Sequence, residues 1–173
     1  MELVEVVAYD SRWPELYAQE VAGLRRAFGA FLVALEHIGS TSVPGLAAKP
    51  IVDIQAVVRS IADAQTAAPT LAALGWEQGV FALDPKRRLY FKKRNSEGSR
   101  TYQLHVYEPD HPSASAHLLF RDYLRAHPEE AARYAALKRS LLAQFSEDRE
   151  AYTGGKTDYV YGVMQKARVD AKE

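Results

Sequence analysis

Apolar positions recur every third or fourth residue from Trp13 to Phe28. Trp13, Tyr17, Val21, Leu24 and Phe28 fall on one face of a predicted amphipathic helix. Pro14 sits where a first turn tolerates a missing N–H, and Gly29 supplies the stop. Ahead of this helix, Leu3 to Tyr9 reads as a short edge strand ended by Asp10 and Ser11. Two apolar runs follow, Phe31 to Ile38 and Ile51 to Val58, predicted as strands on either side of the turn signals Gly39-Ser40 and Pro44-Gly45. Ala62 to Leu74 has helical spacing, interrupted or tightened at Pro69 and closed by Gly75. From Trp76 to Tyr107 the pattern is one of short strands: Trp76 to Ala82, Leu89 to Arg94 and Tyr102 to Tyr107. Asn95 to Ser99 form the loop of a hairpin between the last two. Beyond Pro112 the period is helical again, through Phe120, Tyr123, Leu124 and His127. Pro128 then restarts a helix with Glu129 and Glu130 in its first turn and Tyr134, Leu137, Leu141 and Phe145 inward. A last helical face holds Tyr159, Val160, Val163, Met164 and Ala167. With no repeat, linker or low-complexity tract, residues 1–173 read as one α+β domain with a helical C-terminal third.

Composition narrows the partners. The 22 basic and 22 acidic side chains balance, so no whole-molecule field gathers nucleic acid or an anionic membrane, and any anion site is local. The absence of cysteine excludes disulfides and thiolate chemistry. No run reaches the length of a membrane span and the first residues lack a signal pattern, which makes the cytoplasm the expected location.

One charge stands out in this pattern. Asp53 interrupts an apolar strand, which costs on the order of several kcal/mol unless the carboxylate is paired or set at a wet edge. Strand alternation places Ile51, Asp53, Gln55 and Val57 on one face, and Gln103, His105 and Tyr107 on one face of the later strand. If those strands are neighbours, His105 stands near Asp53. The bend Gly39-Ser40-Thr41-Ser42 ahead of Asp53 offers backbone N–H groups and three hydroxyls, with a glycine that allows close approach of a phosphate. The basic segment Lys86 to Arg100 carries Tyr90, Lys92 and Arg94 on one face. It is either a solvated surface or, through Lys92, a phosphate clamp.

The run from His37 to Ile54, His-Ile-Gly-Ser-Thr-Ser-Val-Pro-Gly-Leu-Ala-Ala-Lys-Pro-Ile-Val-Asp-Ile, resembles the signature of the GrpB family of small bacterial proteins. So do Leu104-His-Val106, Phe120-Arg-Asp-Tyr-Leu-Arg125-Ala-His-Pro128 and Tyr134-x-x-Leu-Lys138, which extends the resemblance over nearly the whole chain. That family is placed in the nucleotidyltransferase superfamily. The resemblance therefore implies a mixed β-sheet with helices packed on it, a Gly-Ser pair after one strand, two spaced carboxylates on the next and a third on a later strand. A similar domain is fused behind dephospho-CoA kinase in some bacteria, which implies an association with nucleotide or coenzyme A metabolism. Gly39 and Ser40 match the Gly-Ser pair and Asp53 the first carboxylate, but Gln55 stands at the second position and His105 at the third.

The resemblance implies a protein that binds a nucleotide or phosphorylated small molecule and transfers a nucleotidyl group with a divalent metal, Mg or Mn. In that reading Gly39, Ser40, Thr41 and Ser42 hold phosphate, Asp53 and Gln55 hold the ion, His105 is acid/base or third ligand, and Lys92 or Arg121 neutralises the leaving group. The departures at Gln55 and His105 support a rival: a non-catalytic phosphate-binding or partner module with a degenerate metal site. Generic nucleic-acid binding has little support in a neutral chain. Each residue also has a plainer role. Asp53 can pair with Lys49 or an arginine, His37 reads as a packed histidine behind the site, and Asp122–Arg125 as a surface pair that includes Arg121 in its motif. Lys156, after two glycines, is open between ligand contact and loop cap.

Overall fold

The computed structural model describes residues 5–80 and 87–171. A five-stranded mixed sheet lies at its centre, built from β1 (Leu32–Ile38), β2 (Val52–Val58), β3 (Trp76–Gly79), β4 (Arg88–Arg94) and β5 (Arg100–Tyr107). The spatial order is β1-β2-β5-β4-β3, with β2 and β5 parallel and every other pair antiparallel. The strands expected from Phe31 onward are therefore present, and the pairing of β2 with β5 is the one on which the site depends.

Alternation along these strands divides the sheet into an oily face and a polar one. Val52, Ile54, Ala56 and Val58 of β2, with Leu104 and Val106 of β5, are at most 1% exposed and pack under α1 (Trp13–Phe28), α2 (Ile61–Ala64) and α3 (Ala68–Ala73). Burying each of the larger aliphatic side chains stabilises the fold by roughly 1.5–3 kcal/mol, so this layer fixes the strand register. In α1, Trp13, Leu24 and Phe28 are buried as the period predicts, while Tyr17 and Val21 pack at its edge. The opposite face is roofed by α4 (Pro112–Ala126), α5 (Pro128–Phe145), α6 (Arg149–Gly154) and α7 (Thr157–Asp170). These join around Val43, Leu46, Leu124, Tyr134 and Val163.

Several elements differ from the expectation. Leu3 and Val4 lie outside the described residues, and of the predicted edge strand only Val7 bridges, to Ala48. The next ladder position would fall on Pro50, which has no N–H to give. The predicted helix over 62–74 is divided by a 3-10 turn at Gln65–Ala67, just before Pro69 opens α3. β3 stops at Gly79; Phe81 and Ala82 lie outside the described residues. The short helix α6 was not expected; Asp148 caps it by accepting from the Ala151 amide at 2.9 Å. No helix among the described residues is long and apolar enough to cross a membrane.

Candidate functional site

Strand register carries the polar residues into rows. Asp53 lies beside Gln103, which lies beside Lys92; Gln55 lies beside His105, which lies beside Tyr90; Tyr107 lies beside Arg88. At one end of this face the chain leaves β1 through Gly39 and a single 3-10 turn at Ser40–Ser42. Gly39 has φ +72°, and a Cβ there would lie 2.6 Å from Asp53 Oδ2. The glycine is therefore required by the carboxylate of Asp53 itself as well as by the left-handed backbone. Asp53 and the Gly-Ser bend are in contact, as the sequence predicted.

The hydroxyls of the bend have different surroundings. Ser42 Oγ donates to the Gly39 carbonyl at 2.6 Å, and the Ser42 and Val43 amides close the turn. Thr41, 1% exposed, is bonded to His37 Nε2 at 2.9 Å. His37 is the packed histidine expected behind the site: it stacks on Tyr17, and burial pushes its pKa down to about 4. Ser40 and Thr41 both line a cavity of about 470 Å³, over which helices α5 and α6 form the roof.

Basic side chains line the cavity. Among the described residues, Lys49, Arg100, Lys138 and Lys156 line it together with one acid, Asp53. Lys138 is 3% exposed, donating from Nζ to Ser40 Oγ at 3.1 Å and to the Ala47 carbonyl. Burial, reinforced by the charges of Lys156 and Arg139, pulls its pKa down to about 7. Lys49 and Lys156 each bring an ammonium within 4.6 Å of the Tyr152 ring centre. Tyr152 is fully buried and its hydroxyl has no hydrogen-bond partner among the described residues. On the sheet side Arg100 Nη1 donates to Tyr90 Oη at 3.3 Å, and Tyr90 donates to Gln103 Oε1 at 2.8 Å. Tyr134 completes the wall, its hydroxyl held protonated well above the ordinary phenol range by burial.

His105 sits beside Asp53 but outside the cavity lining. Its Nδ1 accepts from Arg88 Nη2 at 2.9 Å, because a guanidinium only donates. The neutral ring therefore carries its hydrogen on Nε2, 3.7 Å from Asp53 Oδ1. The remaining predicted residues point elsewhere. Gln55 is 0% exposed; its Nε2 donates to the Ala114 carbonyl at 3.0 Å and its Oε1 lies 3.1 Å from His117 Nδ1. Burial pushes the His117 pKa down to about 4, so a neutral imidazole donates to that amide oxygen. Lys92 shares the predicted face, yet its ammonium pairs with Glu77 at 3.4 Å, away from the cavity. Arg121 is held by Glu36 at 2.8 Å, the His37 carbonyl and Asp122, and the Asp122–Arg125 surface pair is present at 3.7 Å.

This donor set does not match a two-metal centre. Among the described residues no three His, Asp or Glu side chains cluster in a way that could hold an ion. The amide of Gln55 is occupied by α4, and His105 offers Asp53 a hydrogen rather than a lone pair.

A family model described as GrpB protein matches residues 3–166. The chain belongs to the GrpB family. It is 38% identical over 169 residues to UPF0157 protein YqkA of Bacillus subtilis, covering 95% of this chain and 47% of that protein, so it spans about half the relative's length. It is 29% identical over 188 residues to a dephospho-CoA kinase of Mycolicibacterium paratuberculosis, covering 95% of this chain and 46% of the kinase. Among solved structures, a conserved GrpB protein from Enterococcus faecalis superposes with TM-score 0.88 at 32% identity, over 98% of this chain and 100% of that one. A Cid1 poly(U) polymerase bound to Mg 3'-dATP superposes with TM-score 0.58 at 13% identity, over 87% of this chain and 49% of the polymerase. The fold of this GrpB chain is thus nucleotidyltransferase-like.

The sequence reading missed Lys138, Arg100 and the two tyrosines of the roof, Tyr134 and Tyr152. A signal existed for Lys138: it stands four residues after Tyr134 and three before Leu141, on the apolar face of α5. A lysine on a buried stripe is the helical counterpart of the aspartate in the strand.

Proposed function

We propose that this chain binds a nucleotide or another phosphorylated small molecule in the cavity between the Gly39–Ser42 bend and helices α5 and α6. The supporting observation is the convergence of Lys49, Arg100, Lys138 and Lys156, from four separate segments, on a cavity whose described lining residues include a single carboxylate. A phosphate in such a cavity meets several hydrogen-bond donors at once. The match to a dephospho-CoA kinase makes coenzyme A precursors natural members of a ligand panel.

The test is a thermal-shift screen of nucleotides and coenzyme A precursors, with Mg²⁺, with Mn²⁺ and with chelator. A ligand at about a hundred times its Kd adds about 2.7 kcal/mol, on the order of 5–10 °C in Tm for a chain of this size. A shift given by phosphorylated ligands and lost in Lys138→Met supports the proposal; no shift with any phosphorylated member at millimolar concentration rejects it.

A second, catalytic reading rests on the Asp53–His105 contact. In it the pair acts on a bound nucleotide, with Asp53 orienting His105 as proton donor or holding a divalent ion. Phosphorus NMR of ligand-saturated protein decides it: turnover that disappears in Asp53→Asn and His105→Gln supports transfer chemistry, and an unchanged spectrum over hours favours a binding module.

A further inference from the structure

We propose that Ser40 is the nucleophile of an acyl-transfer site, with the Lys138 amine as its general base and a small-molecule carboxylic ester or thioester as its substrate. Such a site goes beyond the phosphate-binding reading and stands without it.

The bonds of the three hydroxyls on the bend set one of them apart. Ser42 Oγ is tied to the Gly39 carbonyl and Thr41 Oγ1 to His37 Nε2. Ser40 Oγ instead meets the Lys138 amine at 3.1 Å and is hydrogen-bonded to the Tyr134 hydroxyl, at the wall of the cavity. A serine next to a lysine becomes a nucleophile when that lysine is neutral and can take the hydroxyl proton. The surroundings of Lys138 favour the neutral form. It is 3% exposed, and among the described residues no carboxylate pairs with it. The charged groups that act on it are cations, Arg139 beside it on α5 and Lys156 at the α6–α7 junction, and with burial they bring its pKa to about 7. Lys49, Arg100 and Asp53 share the cavity. Tyr134 and Tyr152 keep their hydrogens through the neutral range, because burial raises both.

As an ammonium, Lys138 donates to Ser40. Without the third proton its N–H groups can stay on the Ala47 carbonyl and over the Tyr134 ring, whose centre lies 4.7 Å away. The lone pair then faces Ser40, and the bond reverses. In the reaction Ser40 Oγ bonds to the acyl carbon and its proton passes to Lys138 Nζ. The bond to the leaving oxygen or sulfur breaks, and Lys138 returns the proton to it. Water then attacks the acyl-serine, giving its proton to Lys138, and Ser40 recovers a proton as the carboxylic acid leaves. The Tyr134 hydroxyl, on Ser40 itself, is the donor in reach of the transient oxyanion. One base on the nucleophile's side suits carbon, where the leaving group departs from a tetrahedral centre beside Nζ. At phosphorus the leaving group departs in line, on the far side from Lys138.

A fluorophosphonate tests the nucleophile in the full chain: Ser40 Oγ bonds to phosphorus, fluoride departs, and peptide mass spectrometry finds the adduct. The expected result is modification of Ser40 at a rate that rises with pH through a midpoint near 7 and then levels. Lys138→Met and Lys138→Arg, each checked for a cooperative melt, should both slow it about a hundredfold or more, since arginine keeps the charge but has no lone pair to offer. Nitrophenolate release from p-nitrophenyl acetate should fall at least about tenfold in Ser40→Ala. An unmodified Ser40 in the parent protein between pH 6 and 9 overturns the proposal, whatever the variants do. So does a Ser40 labelling rate that is flat with pH or that folded Lys138→Arg retains, and so does ester hydrolysis that Ser40→Ala leaves unchanged. Phosphate binding is decided separately by the thermal-shift panel.

Discussion

A single methyl group at Gly39 would lie 2.6 Å from Asp53 Oδ2, inside any contact that real side chains make. Only glycine accommodates both that approach and φ +72°. Gly39→Ala is therefore expected to cost about 2 kcal/mol or more, roughly half from the left-handed backbone and half from displacement of the carboxylate. Urea denaturation measures it. In an Asp53→Ala background, where Oδ2 is gone, the penalty should fall by about 0.5 kcal/mol or more but not vanish, because the backbone strain remains. An additive pair of substitutions would mean that the two residues do not touch. The sequence flagged Gly39 as a cradle for phosphate; the group that actually occupies its open side is Asp53.

Gln55 connects one element to another. It stands on β2 between Glu36 and His105, and its amide holds the first turns of α4 through Ala114 and His117. Gln55→Glu restores the carboxylate that the nucleotidyltransferase pattern has at this position, with almost no change in shape. In this structure the new oxygen would face the Ala114 carbonyl at a fully buried site, so a loss of about 1–3 kcal/mol is expected, with no recovery on adding Mg²⁺. Denaturation midpoints with and without the ion check both parts. A Mg²⁺-dependent gain in stability would mean instead that α4 yields and the metal site can be rebuilt. That β2 and β5 carry Asp53, Gln55 and His105 on one face was legible from a period of two. That α4 lies over Gln55 was not, because nothing local distinguishes a glutamine that binds a helix from one that binds an ion.

The whole molecule has no net charge, yet its stability should be strongly pH-dependent, because several ionisable groups are held in their neutral forms. His37 and His117 are pushed down to about 4 from an ordinary 6.5, so below pH 6.5 the unfolded chain takes up protons that the fold refuses. Stability then falls with pH between 6.5 and 4, by up to about 1.4 kcal/mol per pH unit for each histidine. Lys138 acts in the same direction on the alkaline side. With a folded pKa of about 7 against an ordinary 10.5, it makes stability rise as pH increases from 7 toward 10. Above pH 10 the raised pKa of buried Tyr134 reverses the trend, since the unfolded phenol ionises first. Urea midpoints between pH 5 and 9.5 should therefore climb throughout, and Lys138→Met should flatten the part above pH 7 while leaving the acidic part unchanged. A maximum near pH 7 in the parent protein would show that Lys138 keeps its ordinary pKa.

The sequence by itself determined the local facts: which residues form β2 and β5, which way their side chains point, that the chain must bend at Gly39, and that Asp53 needs a polar setting. Each follows from short-range periodicity and backbone sterics, which are written in neighbouring residues. Tertiary structure decided the character of the site. Lys49, Arg100, Lys138 and Lys156 are unremarkable in their own segments, since a lysine on a helix or at a loop reads as solvated until its neighbours are known. They come together around one cavity only when the oily face of the sheet is covered by α1 to α3 and the helical third has nowhere to pack but over the polar one. Burial selects which elements meet, and that meeting set these four basic side chains around the Gly39–Ser42 bend and Asp53.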